Sequence, residues 1–310
     1  MAQGTLDKIT QLLSEIQAGD HYALAKGITL VENELTGSKE LLLQLKDTRT
    51  ARVVGITGAP GAGKSTLVNA LLHHWTKNKK KIAVIAVDPS SPFNYGAVLG
   101  DRIRMSDFYT NPNVYIRSIA TRGALGGLSA KIIEITDVVK NAPFDIILVE
   151  TVGVGQSEVE IAGLADCTVV AMVPEGGDKI QTMKAGIMEI ANVFVVNKAD
   201  REEAEGMYNN LRIMTHEKAN EGNETPVVKT TATEQKGIEE LATAIEKILH
   251  EQNKMPEKRL HLMAEKCWQL LQAERMKDID KEQLRNTLAE AIRSPDFNIY
   301  QFTRKMGIKN

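Results

Sequence analysis

The residues Gly58-Ala59-Pro60-Gly61-Ala62-Gly63-Lys64-Ser65 have the types and spacing of a phosphate-binding loop, G-x-x-x-x-G-K-[ST]. They follow the apolar run 53–56 and precede a helical pattern, which is the context the motif requires. The glycines let backbone N–H groups cradle phosphates, Lys64 should bridge the β- and γ-phosphates, and the Ser65 hydroxyl should bind Mg²⁺. Thr66 completes the predicted nucleotide contacts. A structural glycine turn is the alternative, and the flanking elements favour nucleotide binding.

A second motif, Asn197-Lys198-Ala199-Asp200, follows another apolar run and predicts specificity for guanine. A buried Asp200 carboxylate can accept hydrogen bonds from the ring N–H and the exocyclic amine of guanine, which adenine cannot supply. Asn197 is expected to bond the purine edge, and the Lys198 stem to pack over the ring. A backbone N–H for guanine O6 is expected from the segment after the next strand, Thr231-Ala232-Thr233.

Three carboxylates are candidates for the metal site together with Ser65. Asp88 and Glu150 each end an apolar run, and Asp101 lies in Gly-Asp-Arg-Ile-Arg-Met. Mg²⁺ prefers such hard oxygen ligands, some of them through water, although helix capping or turn formation would also explain Asp88 and Asp101. The predicted catalytic residues are Lys64, Asp101 and Glu150. Gly153, three residues after Glu150, should sense the γ-phosphate through its N–H.

The residue after Gly153 is Val154, where Ras-type GTPases carry a glutamine that orients water. Gln156 is nearby but shifted, so we expect slow hydrolysis that a partner accelerates. The arginines Arg102, Arg104 and Arg122 are candidates for stabilising transition-state charge, or surface ion-pair residues. The glycine-containing loops 121–127 and 176–184 are either mobile loops beside the nucleotide or ordinary connections.

These motifs need a parallel sheet to bring them together. Nearly continuous apolar runs alternate with helical patterns, which is typical of strands buried on both faces of an open α/β sheet. The predicted fold class is therefore an α/β P-loop NTPase, with a mostly parallel sheet flanked by helices. We predict an N-terminal helical segment at 1–50, a GTPase domain at 51–250 and a C-terminal helical arm at 251–310. The predicted strands are 52–56, 82–87, 114–119, 144–149, 167–173, 193–196 and 227–230.

Composition narrows the function classes. The chain has 310 residues, 43% of them apolar, and a formal net charge of -2, which argues against broad contact with nucleic acid. The N-terminus lacks a signal peptide and no apolar run is long enough to span a membrane, so we expect a cytoplasmic protein with no membrane partner. Cys167 and Cys267 are not part of a Cys/His cluster, and we expect two buried thiols.

Taken together, the motifs resemble the methylmalonyl-CoA mutase-associated GTPases, a family of P-loop chaperones of adenosylcobalamin enzymes. The resemblance spans about residues 20–240. It is carried by the phosphate loop, Asn197–Asp200 and the segments 23–33, 87–92, 100–105, 121–129 and 150–158.

The resemblance implies GTP/GDP and Mg²⁺ as cofactors and a homodimer formed through the C-terminal arm. It also implies a partner mutase of methylmalonyl-CoA or isobutyryl-CoA type, whose cofactor loading and protection depend on GTP. The family's switch segments match 88–105, 150–158 and 176–184. The same family has carried the label of a lysine/arginine/ornithine transport-system kinase, which is the named alternative, and a scaffold that binds GTP without turnover is another. Nickel-insertion GTPases have Cys/His sites that this chain lacks.

Overall fold

The structure is a computed structural model that describes residues 2–46, 51–88, 105–121, 131–153, 157–174, 185–218, 224–251, 257–276, 279–294 and 296–307. The chain divides into two compact units, Met1–Arg259 and Leu260–Asn310. The nucleotide motifs all belong to the first unit.

A parallel sheet forms the centre of the first unit, and it confirms the predicted fold class. Within the described ranges the strands follow the order β3-β2-β4-β1-β5-β6-β7, and every pairing is parallel. The fourth strand begins two residues later than predicted, because the Phe144 N–H is donated to Ala142 O in a turn. The strands are β1 Arg52–Gly58, β2 Ile82–Asp88, β3 Val114–Ala120, β4 Ile146–Glu150, β5 Cys167–Met172, β6 Val193–Asn197 and β7 Val227–Thr230.

Helices cover both faces of this sheet. Short 3₁₀ turns lie at Ser106–Phe108 and Ala232–Glu234. The helices of the first unit are α1 Ala2–Gln17, α2 His21–Glu32, α3 Ser38–Gln44, α4 Lys64–Lys77, α5 Ile132–Lys140, α6 Ser157–Leu164, α7 Ala185–Ile190, α8 Ala204–Lys218 and α9 Ile238–Glu251.

The N-terminal helices pack in one of the two large hydrophobic clusters of the first unit. Ile16, Leu24 and Ile28 are buried in one cluster with residues of α5, α6 and one face of the sheet. Asp20 caps α2 by accepting a 2.7 Å hydrogen bond from the Ala23 N–H. Arg117 of β3 donates to Glu32 at the end of the same helix, at 2.9 Å. The three N-terminal helices therefore stabilise the sheet by packing on one of its faces.

The opposite face of the sheet is covered by α4 and α9, which share a second buried cluster. Every residue of β2 and β4 is buried, as expected of central parallel strands. Side chains in mid-strand are thus committed to packing, and only the residues at the carboxyl ends of the strands remain available for a ligand.

The second unit is helical and exposes large apolar side chains. Its helices are α10 Glu257–Arg275 (which begins at the end of the first unit), α11 Lys281–Ala291 and α12 Ile299–Gly307. Asp280 caps α11 by accepting from the Gln283 N–H at 2.7 Å. The exposed apolar residues include Leu260, Trp268, Leu271, Ile292 and Tyr300.

The two cysteines differ. Cys167 is buried in β5, and burial raises the pKa of its thiol to about 12, which leaves it unreactive. Cys267 is exposed on α10, so the expectation of two buried thiols is wrong for this residue. The apolar residues around it lie on a helix whose side chains face solvent. Among the described residues, no helix combines the length and apolar composition that a membrane span requires.

One polar cluster joins α4, the helix that follows the phosphate loop, to α9. The fully buried Trp75 donates through Nε1 to Glu246 Oε1 at 2.8 Å, and Lys80 Nζ donates to the same oxygen at 2.7 Å. Partial burial opposes ionisation of Glu246, but the hydrogen bonds from Lys80 and Trp75 outweigh it and lower the pKa of this carboxyl. The pair of bonds fixes the far end of α4.

We predict that Glu246→Gln lowers the free energy of unfolding by about 1 kcal/mol at neutral pH, because a charged acceptor becomes neutral. A lowered folded-state pKa stabilises the fold above the unfolded pKa and loses that effect as pH falls through the folded value. The difference between wild type and variant should therefore shrink below the ordinary pKa of 4.5.

Urea unfolding followed by circular dichroism at several pH values measures this difference. Glu251→Gln is the control, because Glu251 lies on the same helix in an exposed 3.9 Å pair with Lys247. A pH-independent difference for Glu246→Gln would contradict the assignment.

Candidate functional site

The phosphate loop leaves the carboxyl end of β1 and enters α4 at Lys64. Gly63 precedes the helix with φ +83°, and a Cβ at this position would lie 2.4 Å from Asn197 Nδ2. Only glycine allows both the left-handed backbone and this close approach. The first turn of α4 therefore presents its backbone N–H groups and positive dipole end at the loop, which is the arrangement that binds phosphates.

Lys64 is buried within the loop that it serves. Its Nζ donates to Gly58 O at 3.0 Å and to Ala59 O at 3.2 Å. The ammonium is thus held over the loop by backbone carbonyls. Phosphate oxygens are stronger acceptors for it, because they carry negative charge.

Ser65 and Glu150 are brought together as the sequence predicted. Ser65 Oγ donates to Glu150 Oε1 at 2.7 Å, and both side chains are buried. Asp88 is also buried, at the end of β2, the strand that pairs with β4. These residues supply the hard oxygen donors that Mg²⁺ takes.

No group of three or more His, Cys, Asp or Glu side chains suited to a metal occurs in the described ranges. A hydroxyl and separate carboxylates fit a Mg²⁺ ion that takes its remaining oxygens from phosphates and water, rather than a protein-only metal cage. Asp101, the third predicted carboxylate, lies outside the described residues.

The segment after β4 returns to the phosphate loop. Gly153 has φ +84°, and a Cβ there would lie 2.5 Å from both Gly58 O and Lys64 Nζ. The backbone at Gly153 is therefore packed against the carbonyl that holds the lysine. Movement of Lys64 towards a phosphate therefore changes the packing around the Gly153 backbone.

Asn197 ties three loops together. Its Nδ2 donates to Ala62 O at 2.9 Å, while its Oδ1 accepts from Thr230 Oγ1 at 3.0 Å and from the Ala232 N–H at 3.4 Å. The side chain is buried. The Asn197 amide thus links the phosphate loop to the end of β7. Its expected bond to the purine edge stays a prediction.

The rest of the guanine motif forms a turn beyond β6. Lys198 has φ +57°, a left-handed conformation, and the Ala199 N–H donates to Thr230 O at 3.0 Å. Asp200 is exposed, so the expectation of a buried carboxylate is wrong for this state of the chain. It follows the point where the chain leaves the sheet, and no neighbouring element covers it there.

The loop after β7 lies beside this turn. Thr231 and Ala232 are buried and Thr233 is exposed. The pKa of Lys236, at the end of the loop, is raised mainly by its hydrogen bond with Glu234, and Asp200 adds to the rise. The two predicted base-contacting segments are neighbours, because the Ala199 N–H donates to Thr230 O and the Ala232 N–H donates to Asn197 Oδ1.

Several predicted residues lie outside the described ranges. These are Arg102, Arg104, Arg122, Val154, Gln156 and the segments 122–127 and 176–184. Conversely, the structure identifies buried hydroxyls that no motif signalled, at Thr57, Thr151 and Thr230. A single threonine at or just beyond the end of a strand carries no spacing pattern, so the sequence did not indicate these hydroxyl bonds.

Comparison with known proteins adds the family. A family model described as Methylmalonyl Co-A mutase-associated GTPase MeaB matches residues 24–284. A protein of Pyrococcus horikoshii that carries the name GTPase is 46% identical over 262 residues, and the match covers 82% of this chain and 83% of that protein. The Escherichia coli GTPase ArgK is 37% identical over 249 residues, covering 76% and 75%.

A solved structure described as LAO/AO transport system kinase covers 97% of this chain and 98% of its own, with a TM-score of 0.68. The identity is 24%, so this likeness concerns the fold alone.

We predict that Gly153→Ala lowers the rate of GTP hydrolysis by about 100-fold, because the added methyl group meets a backbone carbonyl that cannot move aside. GDP affinity should change much less, since the phosphate loop itself keeps its sequence. Single-turnover hydrolysis and titration with fluorescent GDP separate the two effects.

Gly37→Ala is the matched control. Gly37 also has a positive φ, +97°, but its added Cβ would meet the side chain of Ile9, away from the nucleotide. It should lower stability and leave hydrolysis unchanged. Normal hydrolysis by Gly153→Ala would remove Gly153 from the site.

Proposed function

Because the chain belongs to the methylmalonyl-CoA mutase-associated GTPase family, we propose that its GTP turnover regulates an adenosylcobalamin-dependent acyl-CoA mutase. The client is of methylmalonyl-CoA or isobutyryl-CoA type, and the GTPase acts as its chaperone during cofactor loading and protection. The observation that carries the proposal is the packing of Gly153 on Gly58 and Lys64. It joins the phosphate site to a segment that can report the state of the nucleotide.

The reaction is the hydrolysis of GTP to GDP and phosphate. In this proposal the phosphate loop and Lys64 hold the triphosphate, and Asp200 reads guanine once the base lies against it. Asn197 holds the two loops at a fixed separation through its bonds to Ala62 and Thr230. The base loop and phosphate loop then bind one nucleotide together.

The proposed metal ligands are Ser65, Asp88, Asp101 and Glu150, directly or through water. When bound, Mg²⁺ supplies charge that stabilises the phosphates during transfer. Glu150 Oε1 accepts a 2.7 Å hydrogen bond from the Ser65 hydroxyl, which orients the Ser65 oxygen within the site. Lys64, Asp101 and Glu150 are the proposed catalytic residues.

The nucleotide site is coupled to the segment after β4 through Lys64. Lys64 is bonded to two loop carbonyls, and it must exchange at least one of them for phosphate oxygens when GTP binds. Gly153 packs against the same lysine. Binding and hydrolysis therefore favour different positions of the segment after β4, as in other switch GTPases.

The second unit supports a homodimer in this proposal. Its helices expose apolar side chains that include Trp268, Leu271 and Tyr300, the last of which is 82% exposed. Large apolar side chains left exposed on one helical unit are typical of an interface. A second copy of the chain is the proposed occupant, through the arm at 251–310, and the proposed compartment is the reducing cytoplasm, where an exposed thiol such as Cys267 persists.

Asp200→Asn should shift the nucleotide preference of the protein from guanine towards xanthine. The new amide can donate to the extra oxygen of xanthine and loses one acceptor for guanine, so GTP affinity should fall by about 10–100-fold. Competition binding with GTP, XTP and ATP measures the change. Glu202→Gln, an exposed carboxylate in the same turn, is the control and should bind like wild type; retained GTP selectivity in Asp200→Asn would exclude Asp200 as the base reader.

The client is tested by GTP and ATP hydrolysis with Mg²⁺, alone and with purified methylmalonyl-CoA mutase or isobutyryl-CoA mutase. We expect GTP-selective turnover that rises at least about tenfold with one of the two mutases, because a partner completes the site.

Turnover of GTP that neither mutase changes would contradict the client assignment. Turnover of ATP with phosphoryl transfer to a protein would favour the transport-system kinase. Binding of GTP without turnover under any condition would favour a scaffold.

A further inference from the structure

A buried pair of threonine hydroxyls lies where the phosphate loop and the segment after β4 begin. Thr151 Oγ1 donates to Thr57 Oγ1 at 3.0 Å, and the two residues are 1% and 0% exposed. Thr57 comes directly before Gly58, the first residue of the phosphate loop. Thr151 directly follows Glu150 and precedes Gly153 by two residues. The hydroxyl pair thus joins the bases of both segments.

The backbone around the pair is already in register. Glu150 pairs with Ile56 across β4 and β1, and the Thr151 N–H continues the ladder by donating to Ile56 O at 3.1 Å. This ladder aligns the strands, but it does not set how closely the next residues approach. The side-chain bond does so at the position where the ladder ends.

We propose that the Thr57–Thr151 hydroxyl pair positions Glu150 and Gly153 against the phosphate loop, and so sets both the affinity for Mg²⁺ and the rate of hydrolysis. Thr57 and Thr151 are positioning residues: they act through the Ser65–Glu150 bond and the Gly153–Lys64 packing. The inference rests on the proposed function of Glu150 as a metal-site residue.

The distance decides the argument. The two hydroxyl oxygens are 3.0 Å apart, within the range of an O–H···O hydrogen bond. Two methyl groups in their place would approach no closer than roughly 3.5–4.0 Å. Replacing the pair with two valines would therefore separate the segments by about 0.5–1 Å, and a misplacement of about 1 Å can cost about 100-fold in rate.

The key variant is Thr57→Val/Thr151→Val. Removal of both partners leaves no unmatched hydroxyl, so the double variant should fold and lose less Tm than Thr151→Val alone, which strands the Thr57 hydroxyl. Thr151→Ser keeps the hydrogen bond and should restore function. The double variant thus separates a loss of positioning from a loss of folding.

Two measurements are made on the full-length chain. Titration of Mg²⁺ into its complex with fluorescent GDP reports metal affinity without turnover, and single-turnover GTP hydrolysis reports the rate. We expect the double variant to need about tenfold more Mg²⁺ and to hydrolyse GTP about tenfold more slowly, with Thr151→Ser within about twofold of wild type.

Thr136→Val is the matched control. Thr136 is fully buried in α5, and its hydroxyl donates to Ile132 O at 2.7 Å on a helix that packs behind the sheet. It should lower Tm and leave both readouts at the wild-type value. A double variant with normal Mg²⁺ affinity and normal rate would overturn the inference.

Glu150→Gln distinguishes this failure from failure of the proposed function. If Glu150→Gln weakens the Mg²⁺ response and the double valine variant does not, the hydroxyl pair has only a structural role and the proposed metal site stands. If Glu150→Gln leaves the Mg²⁺ response unchanged, the proposed metal site fails, and the positioning role fails with it.

Discussion

The short hydrogen bond between Ser65 and Glu150 is the constraint on which the rest of the nucleotide site depends. It joins the first turn of α4 to the end of β4, so the helix that presents the phosphate-binding N–H groups cannot move independently of the carboxylate. The strands make this contact possible, because parallel strands deliver all their carboxyl ends to one edge of the sheet. An antiparallel strand would send its carboxyl end to the opposite edge.

The bulk of the first unit serves to keep that edge rigid. The central strands β2 and β4 are buried throughout and carry polar side chains only at their carboxyl ends, and the N-terminal helices close one face of the sheet while α4 and α9 close the other. The hydrogen bonds that Trp75 and Lys80 donate to Glu246 hold α4 at the end far from the phosphate loop. Helix α4, which follows the phosphate loop, is therefore held in place at both of its ends.

The sequence was sufficient to predict the strands, their parallel arrangement and the position of the phosphate-loop motif between a strand and a helix, because each has a strong local signal. Continuous apolar runs mark buried strands, and the spacing of Gly58, Gly63 and Lys64 occurs in few other settings. The order of the strands was not predicted, because it depends on packing between distant segments.

The details that the sequence did not provide are those that depend on a partner brought in by the fold. The Asn197 amide bonds Ala62 and Thr230, which lie 135 and 33 residues away in the chain, and its sequence motif does not specify these two partners. The burial of Asp200 and of Cys267 was misjudged, because exposure depends on which element covers a residue. Thr57 and Thr151 are unremarkable in sequence and meet only in the folded chain.

The two tryptophans of the chain are divided between its two units, and this gives the molecule a pair of intrinsic optical reporters. Trp75 is fully buried, with its indole N–H bonded to Glu246, whereas Trp268 is 60% exposed on α10. In a single chain, emission from the buried Trp75 lies to the blue of emission from the hydrated Trp268, and a water-borne quencher reaches only Trp268. Fluorescence can therefore follow the GTPase unit and the helical arm separately, without a label on either.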